Sequence, residues 1–364
     1  KSDCMMRQIK FDGAFYRKDI GSTDPALIDK WRKYYGFVCD GWIWYGAYVD
    51  PEMLKIAMVN MVEDAGVTVY CHAWGSEALM EGNRVIGVTF QSKEGRKAIL
   101  AGKVIDCTGD GDIFASAGCA YEKEYSGDDR SYNVSVVFRL GNVDSEEFRN
   151  WKYDPNSHYR DKLAEYKKLF GYRISPFVTP MKDIMWVNNF VEGKDCCNVQ
   201  DLTDTEMLIR RSLNEGIEWI RENVPGFKNA FLHDTAPQLG TRGSRRLNGT
   251  YRLTMDDIAQ TIEHEDTIAI IPAHRRMKYK SPIELPYGVM LPADDVEDLL
   301  AAGRCFSSAH DANDHANLIP HCVALGEAAG AAAALALQSN TTFRNVDVKK
   351  VQQMLKKQGV YLPR

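Results

Sequence analysis

Two stretches carry residue types that do chemistry. The first is KVIDCTGDGDIFASAG (103–118), where an apolar β-branched run enters a corner holding Gly109 and Gly111 between Asp106, Asp110 and Asp112. Glycine accepts positive φ and lets a ligand approach the backbone. The helical pattern after Gly111 opens with amides suited to phosphate. The carboxylates disfavour phosphate at their own positions. They suit a sugar hydroxyl, or the N-caps of a tight strand–helix turn. The closing Glu of a twelve-residue calcium loop is absent.

The second stretch runs from 298 to 330. A strand ends at Gly303, and a polar loop follows with His310, Asp311, Asp314, His315 and His321. A helix then starts near Pro320, and Ala324, Gly326, Ala328, Ala329 and Gly330 let it pack closely on a sheet or a ligand. Its N-terminal dipole favours partial negative charge. The histidines stand five and six residues apart, which does not make a helical metal pair, so no metal site is expected. Each histidine reads equally as a surface or capped residue.

These stretches need elements to hold them. Asp50-Pro51 is a helix start, with Leu54, Ala57, Met58 and Met61 at helical spacing and Gly66 as the stop. The run 67–71 (VTVYC) reads as a strand, as do 76–80, 85–90, 97–100 and 103–106, with turn chemistry at 81–84 and Gly95. Between 120 and 285 the pattern changes. Strands are expected at 134–140 and 247–253 and helices at 145–151 and 161–170. A long helix at 203–223 carries Leu208, Leu213, Ile217 and Ile220 on one stripe. Strands at 285–291 and 296–302, the helix at 320–337 and a surface helix at 347–359 complete the chain. In 1–45, Trp31, Tyr34, Tyr35, Phe37, Trp42, Trp44 and Tyr45 form a cover over a core or an aromatic wall beside a planar ligand. Tyr159, Tyr172 and Trp186 line a pocket or pack a core.

The chain has 364 residues, 45% of them hydrophobic and 26% charged, so disorder and disulfide-stapled miniproteins are excluded. A net charge of −5 supplies no field for nucleic acid. The purest apolar run, 331–337, is short of a membrane span. Nine cysteines without a CxxC pair suggest reduced thiols and a cytoplasmic protein.

The blocks IDCTGDGD, AGCAYE, APQLGTRGSRRLNGTYRLTMDDI (236–258), LPYGVMLP, LLAAGRCFSSAH and IPHCVALGEAAGAAAA occur in this order. Together they resemble the FAD-dependent oxidoreductase family, distantly similar to the flavoproteins of fumarate reductase and succinate dehydrogenase. The resemblance covers about 45–120 and 230–338. It implies an α/β fold in which an FAD/NAD(P)-binding Rossmann-like domain is interrupted by a mixed α+β substrate domain. The expected domains are a cover segment (1–45), FAD-binding parts at 46–119 and 286–340, a substrate domain at 120–285 and a C-terminal helix at 341–364.

By the same resemblance, FAD is the cofactor. Thr108, Gly109, Asp110, Gly111 and Asp112 lie along its pyrophosphate and ribityl chain, with Ala73 near the adenine. Gly303 and Arg304 approach the flavin, and the helix start at Ile319, Pro320 and Val323 faces its N1–C2=O edge. Arg242, Arg245 and Arg246 are candidates for the substrate face, Arg242 first. The G-x-G-x-x-G fingerprint is absent, so a missing N-terminal segment or a second chain is expected to complete the site, or the site is lost. The expected activity is hydride transfer between FAD and a small organic substrate held between the two domains, in an oligomer. Arg242 would clamp a carboxylate, and His310 or His315 would act as acid or base. The alternative is a non-catalytic or scaffold subunit that has lost or shares the FAD site.

Overall fold

The structure, a computed structural model, describes residues 22–32, 38–39, 42–43, 50–123, 133–179, 181, 183–260, 262–271 and 282–362. The side chains of the aromatic cluster at 31–45 lie outside the described residues. The described residues pack as two units, one drawn from 71–133, 193–199 and 241–364, the other from 1–70, 134–192 and 200–240. The described residues between 241 and 285 belong to the unit that holds both glycine corners.

In the first unit, β1 (Trp74–Glu81), β2 (Arg84–Ser92) and β3 (Gly95–Leu100) form an antiparallel meander. Gly82-Asn83 closes the first hairpin, a two-residue pair suited to positive φ. β4 (Val104–Asp106) runs through the first corner into α1 (Asp112–Ser116). β5 (Thr267–Ile271) and β6 (Ile283–Pro286) pair antiparallel. The expected strand at 285–291 stops at Pro286, which has no N–H for a ladder, and turns into a 3-10 helix over Tyr287–Val289. The expected strand at 247–253 shrinks to Arg246–Leu247.

β7 (Leu299–Ala301) lies parallel to β4, with Leu299 opposite Val104, Leu300 opposite Ile105 and Ala301 opposite Asp106. Both are short apolar runs, as buried parallel strands are. After β7 come α2 (His310–Ala316), α3 (Ile319–Gln338) and α4 (Val348–Lys357). Leu325, Ala328, Ala329, Ala332 and Ala336 of α3 are buried in the core, and the small alanines let the helix approach β5 and α4. By length and composition alone α3 would also be apolar enough to cross a membrane, as many core helices are.

In the second unit, strands Arg173–Val178, Met185–Glu192, Phe138–Gly141 and Phe231–Thr235 follow one another antiparallel. Helix Val199–Asn223 buries Ile209, Leu213, Ile217 and Ile220. Leu208, expected on that stripe, is 39% exposed, and Ile209 takes its place. Tyr172 is core, its hydroxyl 3.1 Å from those of Tyr166 and Ser212. Helix Pro51–Asp64 starts where expected, with Asp50 accepting from Glu52 N at 2.9 Å. Its expected apolar stripe is mostly exposed, only Ala57 being buried. The strand expected at 67–71 is also corrected. That segment joins no ladder among the described residues, and Val67, Val69 and Tyr70 are all more than half exposed. β-branched residues favour a strand only where a neighbouring strand supplies the pairing.

Candidate functional site

The parallel register of β4 and β7 sets the two glycine corners side by side at the carboxyl ends of the strands, where open α/β sheets place their ligands. Ala302 N donates to Asp106 O at 2.9 Å, carrying the pairing one residue further.

Asp106 ends β4 and is fully buried. Its Oδ1 accepts from Thr108 N (2.9 Å) and Thr108 Oγ1 (2.7 Å), and its Oδ2 from Ile113 N (3.0 Å) and Phe114 N (2.9 Å). Thr108 Oγ1 in turn accepts from Asp112 N at 3.0 Å. Two of the opening amides of α1 are therefore satisfied by the protein, in line with the N-cap alternative for this corner. The strand's own carboxylate caps the helix, while Gly111 occupies the N-cap position beneath the Phe114 ring.

Asp110 joins three segments. Ser244 Oγ donates to its Oδ1 at 2.6 Å, and Thr241 Oγ1 (3.2 Å) and Arg304 Nη2 (2.9 Å) donate to its Oδ2. Arg304 Nη2 also lies 2.7 Å from Thr241 Oγ1, and Asn313 Nδ2 holds the Arg304 carbonyl at 3.0 Å. Arg245 Nη1 donates to Asp110 O (3.0 Å) and Asp112 Oδ1 (2.9 Å), with its guanidinium 5.6 Å from the Tyr121 ring centre. Sequence reasoning ranks Arg242 first; Arg245 and Arg304 bond directly to the corner. Arg246 is 1% exposed, donates to Ser308 O at 3.1 Å and pairs with Glu122 at 3.3 Å. Arg242 is partly buried, and its backbone N–H meets the Cys196 thiol. Thr241, Ser244, Cys196 and Cys197 are missed from sequence, whereas Arg245 is one of the three arginines the sequence offers. The run of donors from Thr241 to Arg246 was the available signal.

The two glycines differ. Gly109 has φ +84°, and a Cβ there would lie 2.7 Å from Arg304 Nη2, so the guanidinium covers it. Gly303 has φ +101°, with no heavy atom within 4 Å of a built Cβ. The α3 start is solvent-facing: Ile319 is 78% and Val323 64% exposed, and Pro320 is exposed too. His310 opens α2 and His315 sits in its last turn, both partly buried. Ala73 is partly buried just ahead of β1.

Burial pushes the Cys119 thiol up to about 12 and holds Cys305 well above its ordinary value. Nearby carboxylates reinforce both shifts. Cys71, Cys107, Cys119, Cys196, Cys197, Cys305 and Cys322 are free thiols. No group of three or more His, Cys, Asp or Glu among the described residues is arranged to hold a metal.

The model of a family described as FAD dependent oxidoreductase matches residues 25–355. Among curated proteins, none matches the sequence. Solved structures similar to the chain include a triple mutant of the flavin-dependent brominase Bmp2, at 12% identity over 87% of this chain and 62% of that one, TM-score 0.42. A geranylgeranyl bacteriochlorophyll reductase-like protein from Thermoplasma acidophilum shares 14% identity over 85% and 60%, TM-score 0.42. The myxobacterial chondrochloren halogenase CndH shares 12% over 89% and 59%, TM-score 0.39. The chain thus spans less than two thirds of the length of these structures.

Proposed function

Because the chain belongs to the FAD-dependent oxidoreductase family, whose cofactor is FAD, we propose that it transfers a hydride between FAD and a small organic substrate. The observation that carries this reading is the parallel β4–β7 pair. It leaves Gly303 open at a strand end, with the exposed start of α3 following in the same unit. These residues fit the flavin part of the cofactor. The α1 amides, already capped by Asp106, do not fit its phosphates.

FAD, when bound, supplies the hydride chemistry. The chain supplies orientation and charge. Gly303 admits the ligand to the backbone, and the leading amides of α3 place positive partial charge at its N-terminus. Arg242 holds a carboxylate or carbonyl oxygen of the substrate. His310 or His315 moves the proton to or from the substrate carbon. Conjugated unsaturated carboxylates and their saturated counterparts are the substrate class this set suits.

The test is reconstitution with FAD, followed by flavin absorbance and its bleaching or recovery with a panel of those acids. Bound flavin that responds to one of them supports the reading, and colourless protein sinks it. If His310→Gln and His315→Gln both leave the rate unchanged, the acid–base assignment fails.

One observation favours the alternative, a non-catalytic subunit that shares its FAD site with a partner. The polar groups of the first corner are spent within the protein, on Asp106, Thr108 and the Asp110–Arg304 pair. FAD uptake only in the presence of a second chain would decide for it.

A further inference from the structure

We propose that Arg304 is the residue that selects phosphorylated flavins, its guanidinium pairing with the phosphate next to the ribityl chain in competition with Asp110. The proposal rests on the FAD reading and adds what meets the charge of that cofactor.

A flavin phosphate is an anion and needs charged or well-aimed donors. Helix α1 is five residues long, and its Ile113 and Phe114 amides go to Asp106. The α3 amides stand with the flavin ring in that reading, so at the corners the charge falls to side chains. Lys103 stands ahead of β4, at the opposite end of the strand from the corner, with its Nζ 2.7 Å from the buried Asp298. Arg246 is buried on Ser308 and Glu122. Arg245 shares its Nη1 between Asp110 O and Asp112 Oδ1, and its guanidinium lies against the Tyr121 ring. Arg304 directly follows Gly303, where the backbone is open, and reaches back over Gly109. Its side chain therefore spans both corners.

The donors of Arg304 are only partly used. Nη2 bonds Asp110 Oδ2 at 2.9 Å and Thr241 Oγ1 at 2.7 Å. Nε is buried and has no hydrogen-bond partner among the described residues. A buried donor without a partner is costly, and a second anion at the guanidinium relieves that cost. The planar, permanently charged fork matches phosphate oxygens.

The main chain beneath is fixed. Asn313 is fully buried and donates from Nδ2 to Arg304 O and to Ser308 Oγ, each at 3.0 Å. The guanidinium is part-exposed, so it can change partners without moving the backbone. Asp110 then keeps Ser244 Oγ at 2.6 Å and Thr241 Oγ1 at 3.2 Å as donors. Asp110 is thus both the holder of Arg304 and its competitor, which gives the two residues opposite effects on binding.

The full chain is titrated with riboflavin, FMN and FAD, followed by quenching of flavin fluorescence. Riboflavin lacks the phosphate, so it reports the flavin site without the proposed contact. The natural sequence should bind FMN and FAD about tenfold or more tighter than riboflavin, as a charge-assisted pair supplies. Arg304→Gln should bring FMN and FAD down to the riboflavin level with riboflavin unchanged, and Arg304→Lys should restore part of the gap. Asp110→Asn should tighten FMN and FAD, because the amide releases the guanidinium. Equal losses for all three ligands in Arg304→Gln, or weaker FMN binding in Asp110→Asn, would make Arg304 structural and overturn the proposal. If the natural sequence binds all three flavins alike, this proposal falls alone. If it takes up none of them, the flavin reading falls with it.

Discussion

Asp110 Oδ2 and Arg304 Nη2 meet at 2.9 Å across 194 residues of sequence, and Thr241 Oγ1 closes a triangle with them. This pair ties the loop after β4 to the loop after β7, so the two glycine corners are held together by side chains as well as by strand pairing. The Arg304 and Asp110 side chains are 26% and 20% exposed, so the pair is neither a solvated surface bridge nor a fully buried one.

Asp110→Ala removes the acceptor that Arg304, Ser244 and Thr241 share. Lost charge-assisted bonds at a part-exposed site should cost about 2 kcal/mol. Asp110→Asn, which keeps an oxygen for one donor, should cost about half as much. Urea midpoints at constant m-value measure both, and an unchanged midpoint for the alanine variant would show the clasp to be energetically idle.

Asp106 lies deeper and accepts from both Thr108 and the α1 amides. Replacing it by Asn puts an amide where an acceptor is required, and about 2–3 kcal/mol should be lost. Hydrogen exchange at the Ile113 and Phe114 amides should speed up with it. Protection retained at both would mean that another group caps α1.

Gly303→Ala and Gly109→Ala separate backbone strain from crowding. At Gly303 the new methyl meets open space, so the cost is that of positive φ alone, about 1–2 kcal/mol. At Gly109 the methyl also displaces the Arg304 guanidinium, and the loss should be larger. Thermal unfolding ranks the two, and the reverse order would place Arg304 elsewhere. On the flavin reading, Gly303→Ala should also weaken FAD retention, measured as flavin per chain after gel filtration.

In the second unit, Arg139 Nε donates to Asp234 Oδ1 at 2.8 Å, and Arg139 Nη2 also bonds Asp234 Oδ2. These bonds hold the Asp234 carboxyl below the ordinary value of about 3.9, against the pull of burial. A depressed folded-state value means that the stabilisation is complete above about pH 4 and is lost as pH falls through the lower folded value. Unfolding temperatures taken from about pH 6 down to about pH 3 should drop less steeply for Asp234→Asn than for the natural sequence. Parallel curves would remove Asp234 from the acid response.

Much of the local structure was legible. Asp50-Pro51 opens its helix, Gly82-Asn83 closes its hairpin, and Asp347 caps α4 on Lys349 and Lys350. Each depends on groups within a turn of one another, and that information is local. The N-cap reading of the first corner was also within reach, although the cap comes from Asp106 on the strand. The expected strand at 67–71 failed because β-branched composition cannot state whether a partner lies alongside.

The sequence by itself determined the family's block order, the two glycine corners and the elements that lead into them. Only the tertiary structure decided which side chains meet there. The β4–β7 register brings Arg304 over Gly109, and segment 241–245 reaches Asp110 and Asp112 from more than 130 residues away. Such contacts follow from how distant strands pair, and no local pattern in the chain encodes the position of a partner so far along it.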